Sequence, residues 1–146
     1  MTRTEKAISL FNGGYNCAQA VFGAFADENG LSETDALRIA ACFGGGMQAG
    51  EVCGAATGAL MTLGRRYPGT VASRPISNAA TRQFNARFRA ACGALQCREL
   101  LGYDFGTPEG IEASRAIPVR DEGGHDPRCA QCIIATVNIL EETTTA

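Results

Sequence analysis

Sulfur is the reactive chemistry that this chain offers. Cysteines stand at positions 17, 42, 53, 92, 97, 129 and 132, against a single histidine, His125. Several fall where a helix should begin. Cys17 follows Asn16, a good N-cap, and so takes a first helical position. Cys129 follows Asp126-Pro127 and lies in a first turn. Unpaired backbone N–H groups and the helix dipole favour negative charge at both places. A thiolate there is stabilised, with a pKa one or more units below roughly 8.5. The thiolate is both nucleophile and metal ligand, so the placement suits disulfide exchange and cluster binding alike.

Two further spacings bear on this chemistry. Cys129-Ala130-Gln131-Cys132 is a C-x-x-C at a helix start, and residues i and i+3 share a helix face, so these two sulfurs can meet. That is dithiol oxidoreductase geometry, but the thioredoxin version needs a preceding strand, and none is read here. C-x-x-C is also half of many zinc and iron–sulfur sites. Cys92 and Cys97 form a C-x4-C across Gly93. With Cys129 and Cys132 they make up a four-sulfur set whose spacing is wide for a zinc ribbon. Taken singly, Cys42 and Cys92 fit the ordinary role of a small buried hydrophobe. His125, in Gly-Gly-His-Asp-Pro, is expected to face solvent rather than ligate.

The sharpest local pattern is Cys53-Gly54-Ala55-Ala56-Thr57-Gly58. Gly54 and Gly58 share one helix face, and each costs about 0.8–1 kcal/mol relative to alanine. The missing side chains admit either a cofactor or a second helix. Gly44-Gly45-Gly46 precedes this stretch as a loop able to fold over whatever Cys53 binds.

The elements that must position these residues are helical nearly throughout, with apolar residues at helical spacing and glycines as punctuation. A first segment over residues 2–12 stops at Gly13-Gly14. The next runs from Cys17 to about Glu28. Ser32 and Asp35 resemble a capping box, and the helix after them breaks at Gly44. Another runs from Gly50 or Glu51 to about Arg66. Residues 68–76 read as a loop, and Ser77 or Asn78 caps a helix reaching Cys92. A short helix covers Leu95–Leu101, and Thr107-Pro108 can start another. A last helix follows Asp126-Pro127 to about Glu141, before a frayed tail, Thr143–Ala146. The expectation is all-α: a single-domain bundle over 1–146 of about five to seven helices with glycine-rich loops.

Composition narrows the function classes. A net charge of −2 argues against a nucleic-acid partner. No apolar run is long enough for a membrane span. The N-terminus lacks a secretory pattern, so the cytoplasm is the expected compartment. Structural disulfides are rare there, and an odd cysteine count prevents complete pairing within one chain.

Phe43-Gly44-Gly45-Gly46-Met47 followed by Gly50-Glu51-Val52-Cys53-Gly54-Ala55-Ala56-Thr57-Gly58-Ala59 resembles the redox-active protein family named for its C…CGAxxG…C…C pattern. Tyr15-Asn16-Cys17-Ala18-Gln19-Ala20-Val21 is similar to its first cysteine segment and Cys97-Arg98-Glu99-Leu100-Leu101-Gly102 to its third. Cys129 is similar to its last. The resemblance implies that Cys17, Cys53, Cys97 and Cys129 are the signature thiols, with Cys42, Cys92 and Cys132 outside the pattern. The family is also similar to part of the split-Soret cytochromes, in which an iron–sulfur centre accompanies haem. Ile133 follows Cys132, so there is no C-x-x-C-H for c-type haem attachment.

Three functions follow as expectations. One is thiol–disulfide or electron-transfer chemistry with an unknown redox partner, with Cys53 and Cys129 the candidate couple and Cys17 and Cys97 nearby. A second is an iron–sulfur cluster on Cys17, Cys53, Cys97 and Cys129, tucked against Gly54 and Gly58. The third is a non-catalytic helical domain held by zinc or packed thiols, with the glycine stripe available for a homo-oligomer.

Overall fold

The helix caps read in the sequence are made in the computed structural model, which describes residues 1–143. Thr2 caps α1 (Arg3–Asn12) in a complete capping box with Glu5, and Asn16 caps α2 (Cys17–Ala24) in another with Gln19. Before α3 (Glu33–Ala40), Ser32 accepts a hydrogen bond from the Asp35 backbone N–H, the Ser half of such a box. Then come α4 (Gly54–Arg65), α5 (Arg74–Cys92), α6 (Cys97–Leu101), α7 (Pro108–Arg115) and α8 (Arg128–Glu142). The all-α expectation holds. The helices number eight among the described residues, because both short segments, α6 and α7, close their turns.

Boundaries differ from the sequence reading at three places. α2 stops at Ala24, and residues 25–30 continue as turns in which the buried Asn29 donates from Nδ2 to Thr62 Oγ1 at 3.1 Å. α5 starts at Arg74 rather than at Ser77 or Asn78, because Pro75 fits a first helical turn. α4 starts at Gly54, with Cys53 itself at the N-cap. The residues before Cys53 are bent away from a right-handed helix: Gly45, Gly46, Met47 and Gln48 all have positive φ, at 64°, 62°, 61° and 55°. Glycine takes this conformation freely, whereas each non-glycine residue there costs of order 1–3 kcal/mol. The turn is tied by Gln48 Nε2 donating to the Gly44 carbonyl at 3.0 Å and by Glu51 N–H donating to the Gly46 carbonyl at 3.1 Å.

α2 lies at the centre, packed by α1, α3, α4 and α8. α4 crosses it closely, because α4 presents Gly54 and Gly58 to it. A Cβ on Gly58 would stand 2.9 Å from the Ala18 carbonyl oxygen. The core around this crossing holds Phe11, Val21, Phe25, Phe88, Ile133 and Leu140, all almost fully buried. One isolated antiparallel bridge, Val52 with Gln96, joins the start of α4 to the start of α6. The tail expected over Thr143–Ala146 lies outside the described residues apart from Thr143, whose N–H donates to the Ile139 carbonyl.

Candidate functional site

Backbone geometry brings the signature cysteines together from four helix starts. Cys17 opens α2, Cys53 caps α4, Cys97 opens α6 and Cys129 lies in the first turn of α8. The Val52–Gln96 bridge sets two of them side by side. Cys53 N–H donates to the Leu95 carbonyl at 2.8 Å, and Cys97 N–H to the Glu51 carbonyl at 2.6 Å. Arg98 closes the same junction on Glu51 at 2.9 Å. The start of α8 is fixed by Asp126, which accepts from the Arg128 N–H and guanidinium and from the Tyr103 hydroxyl at 3.0 Å. Arg128 also donates to the Leu101 carbonyl, tying α8 to the end of α6. All seven cysteines line one cavity of about 1110 Å³.

Within that cavity the thiols are not equivalent. Cys17 is half-buried where the N-termini of α2 and α4 converge. Its pKa is lowered to about 7, chiefly because the Cys53 thiol donates toward its sulfur. Burial works against this, and backbone N–H groups of Ala55, Ala18 and Gly45 add to it. Cys53 is the counterpart: donating to Cys17, losing solvent and facing the Cys17 charge all push its own pKa well up. Cys97 is pushed up to about 12, first by burial and then by the Cys17 and Asp104 charges. Cys129 goes the same way. Burial, the Cys17 charge and the Asp126 carboxylate outweigh its place at a helix start. Helix-start stabilisation of the thiolate therefore prevails at Cys17 and is overridden at Cys129.

The sulfur partnerships also differ from those expected. The sulfur acting most strongly on Cys53 is that of Cys17. Cys132 takes its partner from α5 rather than from its own C-x-x-C: its thiol donates toward Cys92, lowering the Cys92 pKa while its own rises. Cys92 is thus no isolated packing residue, and Cys42 is exposed rather than buried. The sequence left Cys92 and Cys132 outside the family pattern without pairing them to each other, because that partnership crosses two helices that only the tertiary fold brings together. Of the two occupants open for the glycine face, the space is taken by α2: a Cβ on Gly54 would stand 2.6 Å from Cys17 Sγ and 2.9 Å from the Phe43 carbonyl oxygen. His125 was expected at the surface. Its ring instead stacks on Phe11 with centroids 3.7 Å apart, and it lines the cavity.

A four-thiolate cluster needs its ligands around one point. Among the described residues no three His, Cys, Asp or Glu side chains converge closely enough to hold a metal ion. Four thiols stand as two pairs, Cys17 with Cys53 and Cys92 with Cys132, and among the described residues no third ligand closes on either, so this arrangement does not fit an iron–sulfur or four-sulfur zinc centre. Also among the described residues, no helix is long and apolar enough to cross a membrane.

Comparison with protein families gives a match over residues 15–143 to the family described as "Putative redox-active protein (C_GCAxxG_C_C)". Comparisons with curated proteins and with solved structures give no match.

Proposed function

The chain belongs to the redox-active C_GCAxxG_C_C family, and from that premise we propose that it is a thiol–disulfide redox protein whose reactive couple is Cys17 and Cys53. The observation that carries this reading is the Cys17 sulfur, set among backbone N–H groups of two helix starts and against the Cys53 thiol, with a pKa of about 7. Near neutral pH such a thiol is about half ionised, close to the optimum for an attacking thiol.

The chemistry runs in two exchanges. The Cys17 thiolate attacks one sulfur of a substrate disulfide. A bond forms between Cys17 and that sulfur, the substrate S–S bond breaks, and the second substrate sulfur leaves as a thiolate. Cys17 is now neutral, which removes the two Cys17 effects that hold the Cys53 pKa up. Cys53 then passes its proton to the departing sulfur and attacks Cys17, releasing the first substrate sulfur and closing a Cys17–Cys53 disulfide. Two electrons move from the protein dithiol to the substrate. Cys97 and Cys129, protonated at neutral pH, complete the wall without competing as nucleophiles. A reducing compartment, the cytoplasm, returns the couple to its dithiol form.

The test is disulfide mapping after equilibration in glutathione buffers of graded potential, followed by acid quench and peptide analysis. The expected product is a Cys17–Cys53 disulfide that forms and is lost reversibly. Cys53 joined to Cys129, or both thiols remaining free across the whole range, would overturn the assignment.

A further inference from the structure

The cavity that holds Cys17 and Cys53 also carries a permanent charge without a counter-charge. Two arginines and one carboxylate line it, Arg120, Arg128 and Asp126. Asp126 and Arg128 neutralise each other at 2.7 Å. Arg120 pairs with no carboxylate among the described residues. Its neighbour in the chain, Asp121, turns its carboxylate onto the N–H groups of Gly123 and His125, at 3.0 and 2.9 Å. The Arg120 guanidinium is nonetheless fixed in place. It donates to the Gly124 carbonyl at 2.9 Å and to the Ser114 carbonyl, in the last turn of α7, at 2.7 Å. Closing α7 in this way uses only part of the guanidinium fork, and the remaining N–H donors suit an anion.

We propose that Arg120 binds a carboxylate of the substrate, which is a small disulfide whose apolar body lies in this cavity while its S–S bond meets Cys17. The assignment rests on the dithiol reading of Cys17 and Cys53 and adds no step to it: the bonds formed and broken are those of the two exchanges already described.

The loop that carries Arg120 lies against the end of α1 that leads to Cys17. His125 stacks on Phe11 at 3.7 Å, and a Cβ on Gly123 would collide with the Phe11 carbonyl oxygen. That carbonyl also accepts from the Gly14 N–H at 3.0 Å, where the chain turns toward α2. A volume of about 1110 Å³ suits a small molecule, and Leu100, Phe105, Ile117 and Ile134 give the wall its apolar part. The Cys17 thiolate is the other charge on this wall. It repels a carboxylate that Arg120 attracts, so the two charges favour one orientation, with the anionic end at Arg120 and the sulfur end at Cys17.

The experiment uses two probes, 6-(2-pyridyldithio)hexanoic acid and its primary amide, which share size and leaving group and differ by one charge. Consumption of Cys17 by each is followed with acid quench and peptide mapping, so that reaction at the exposed Cys42 does not interfere. The proteins are wild type, Arg120→Gln, Arg120→Lys and Arg74→Gln. Arg120 is exposed, so replacing it spares the core. Arg74, at the start of α5 and off the cavity wall, controls for net charge. The acid-to-amide rate ratio should fall about tenfold in Arg120→Gln, the usual worth of a charge-assisted hydrogen bond. It should be largely kept in Arg120→Lys and unmoved in Arg74→Gln. In wild type, excess hexanoate should also slow the amide probe more than excess hexanamide does. A ratio that Arg120→Gln leaves unchanged, or that falls equally in Arg120→Lys or Arg74→Gln, or equal protection by hexanoate and hexanamide, overturns the carboxylate site and leaves the dithiol reading standing. If neither probe consumes Cys17 in wild type, or if Cys17 never goes on to join Cys53, the dithiol reading is overturned and the substrate assignment with it.

Discussion

Two cysteines at helix starts behave in opposite ways, and the difference lies in what surrounds each sulfur. Cys17 gains a thiol donor and three backbone N–H groups, which together exceed the cost of burial. Cys129 has the same helix-terminal advantage but is buried, and it feels the charge of Cys17 and the Asp126 and Asp121 carboxylates. Asn16 in the sequence was enough to find Cys17, because a cap is a local signal. The carboxylates near Cys129 are local, but its burial and the charge of Cys17 on α2 are set only by the tertiary fold. At pH 7.5 Cys17 should react with iodoacetamide at least about tenfold faster than Cys129 in the native protein, because only Cys17 is substantially ionised. Site-resolved mass spectrometry checks this. Equal rates would show that the helix start, rather than the surroundings, decides.

At the scale of elements, α4 was legible from its glycines, and the turn before it was not. Gly54 and Gly58 signal a close approach in any helix, and here the partner is α2. Met47 and Gln48 take left-handed backbone conformations that their residue types disfavour, so no pattern at those positions predicts them. That turn brings the Gly45 N–H to Cys17 and delays α4 until Cys53. The glycine face carries a direct expectation. An alanine at an open helical site gains up to about 1 kcal/mol in propensity, and Gly64 has nothing within 4 Å of an added Cβ. Gly64→Ala should therefore raise the urea midpoint. At Gly54 and Gly58 the added carbon would meet Cys17 Sγ, the Phe43 carbonyl or the Ala18 carbonyl at 2.6–2.9 Å. Overpacking costs about 1–3 kcal/mol and outweighs the propensity gain. Both variants should lower the midpoint, and a rise at either would contradict the close-crossing account.

The whole molecule makes a site that no segment contains. Helical class and element order could be read from spacing and punctuation, because those signals repeat every few residues. The cavity could not, since its walls come from helices far apart in the chain and its thiols find partners across them. His125 shows the same limit: its loop composition suggests solvent, and only the packed chain sets it on Phe11. The lowered Cys17 pKa belongs to this scale too, because α2, the left-handed turn and α4 must all be in place to produce it. A folded pKa below the unfolded value means that ionisation of Cys17 stabilises the fold. That contribution is complete above the ordinary thiol pKa of about 8.5 and is lost as pH falls through about 7. The most direct measurement is the pH profile of Cys17 alkylation in folded wild type, in Cys53→Ala and in urea-unfolded protein. The account predicts an inflection near 7 in the folded wild type, a higher one in Cys53→Ala, and one in the ordinary thiol range, about 8.5, on unfolding. An inflection in the ordinary range for the folded wild type, or one that Cys53→Ala leaves unmoved, would contradict it.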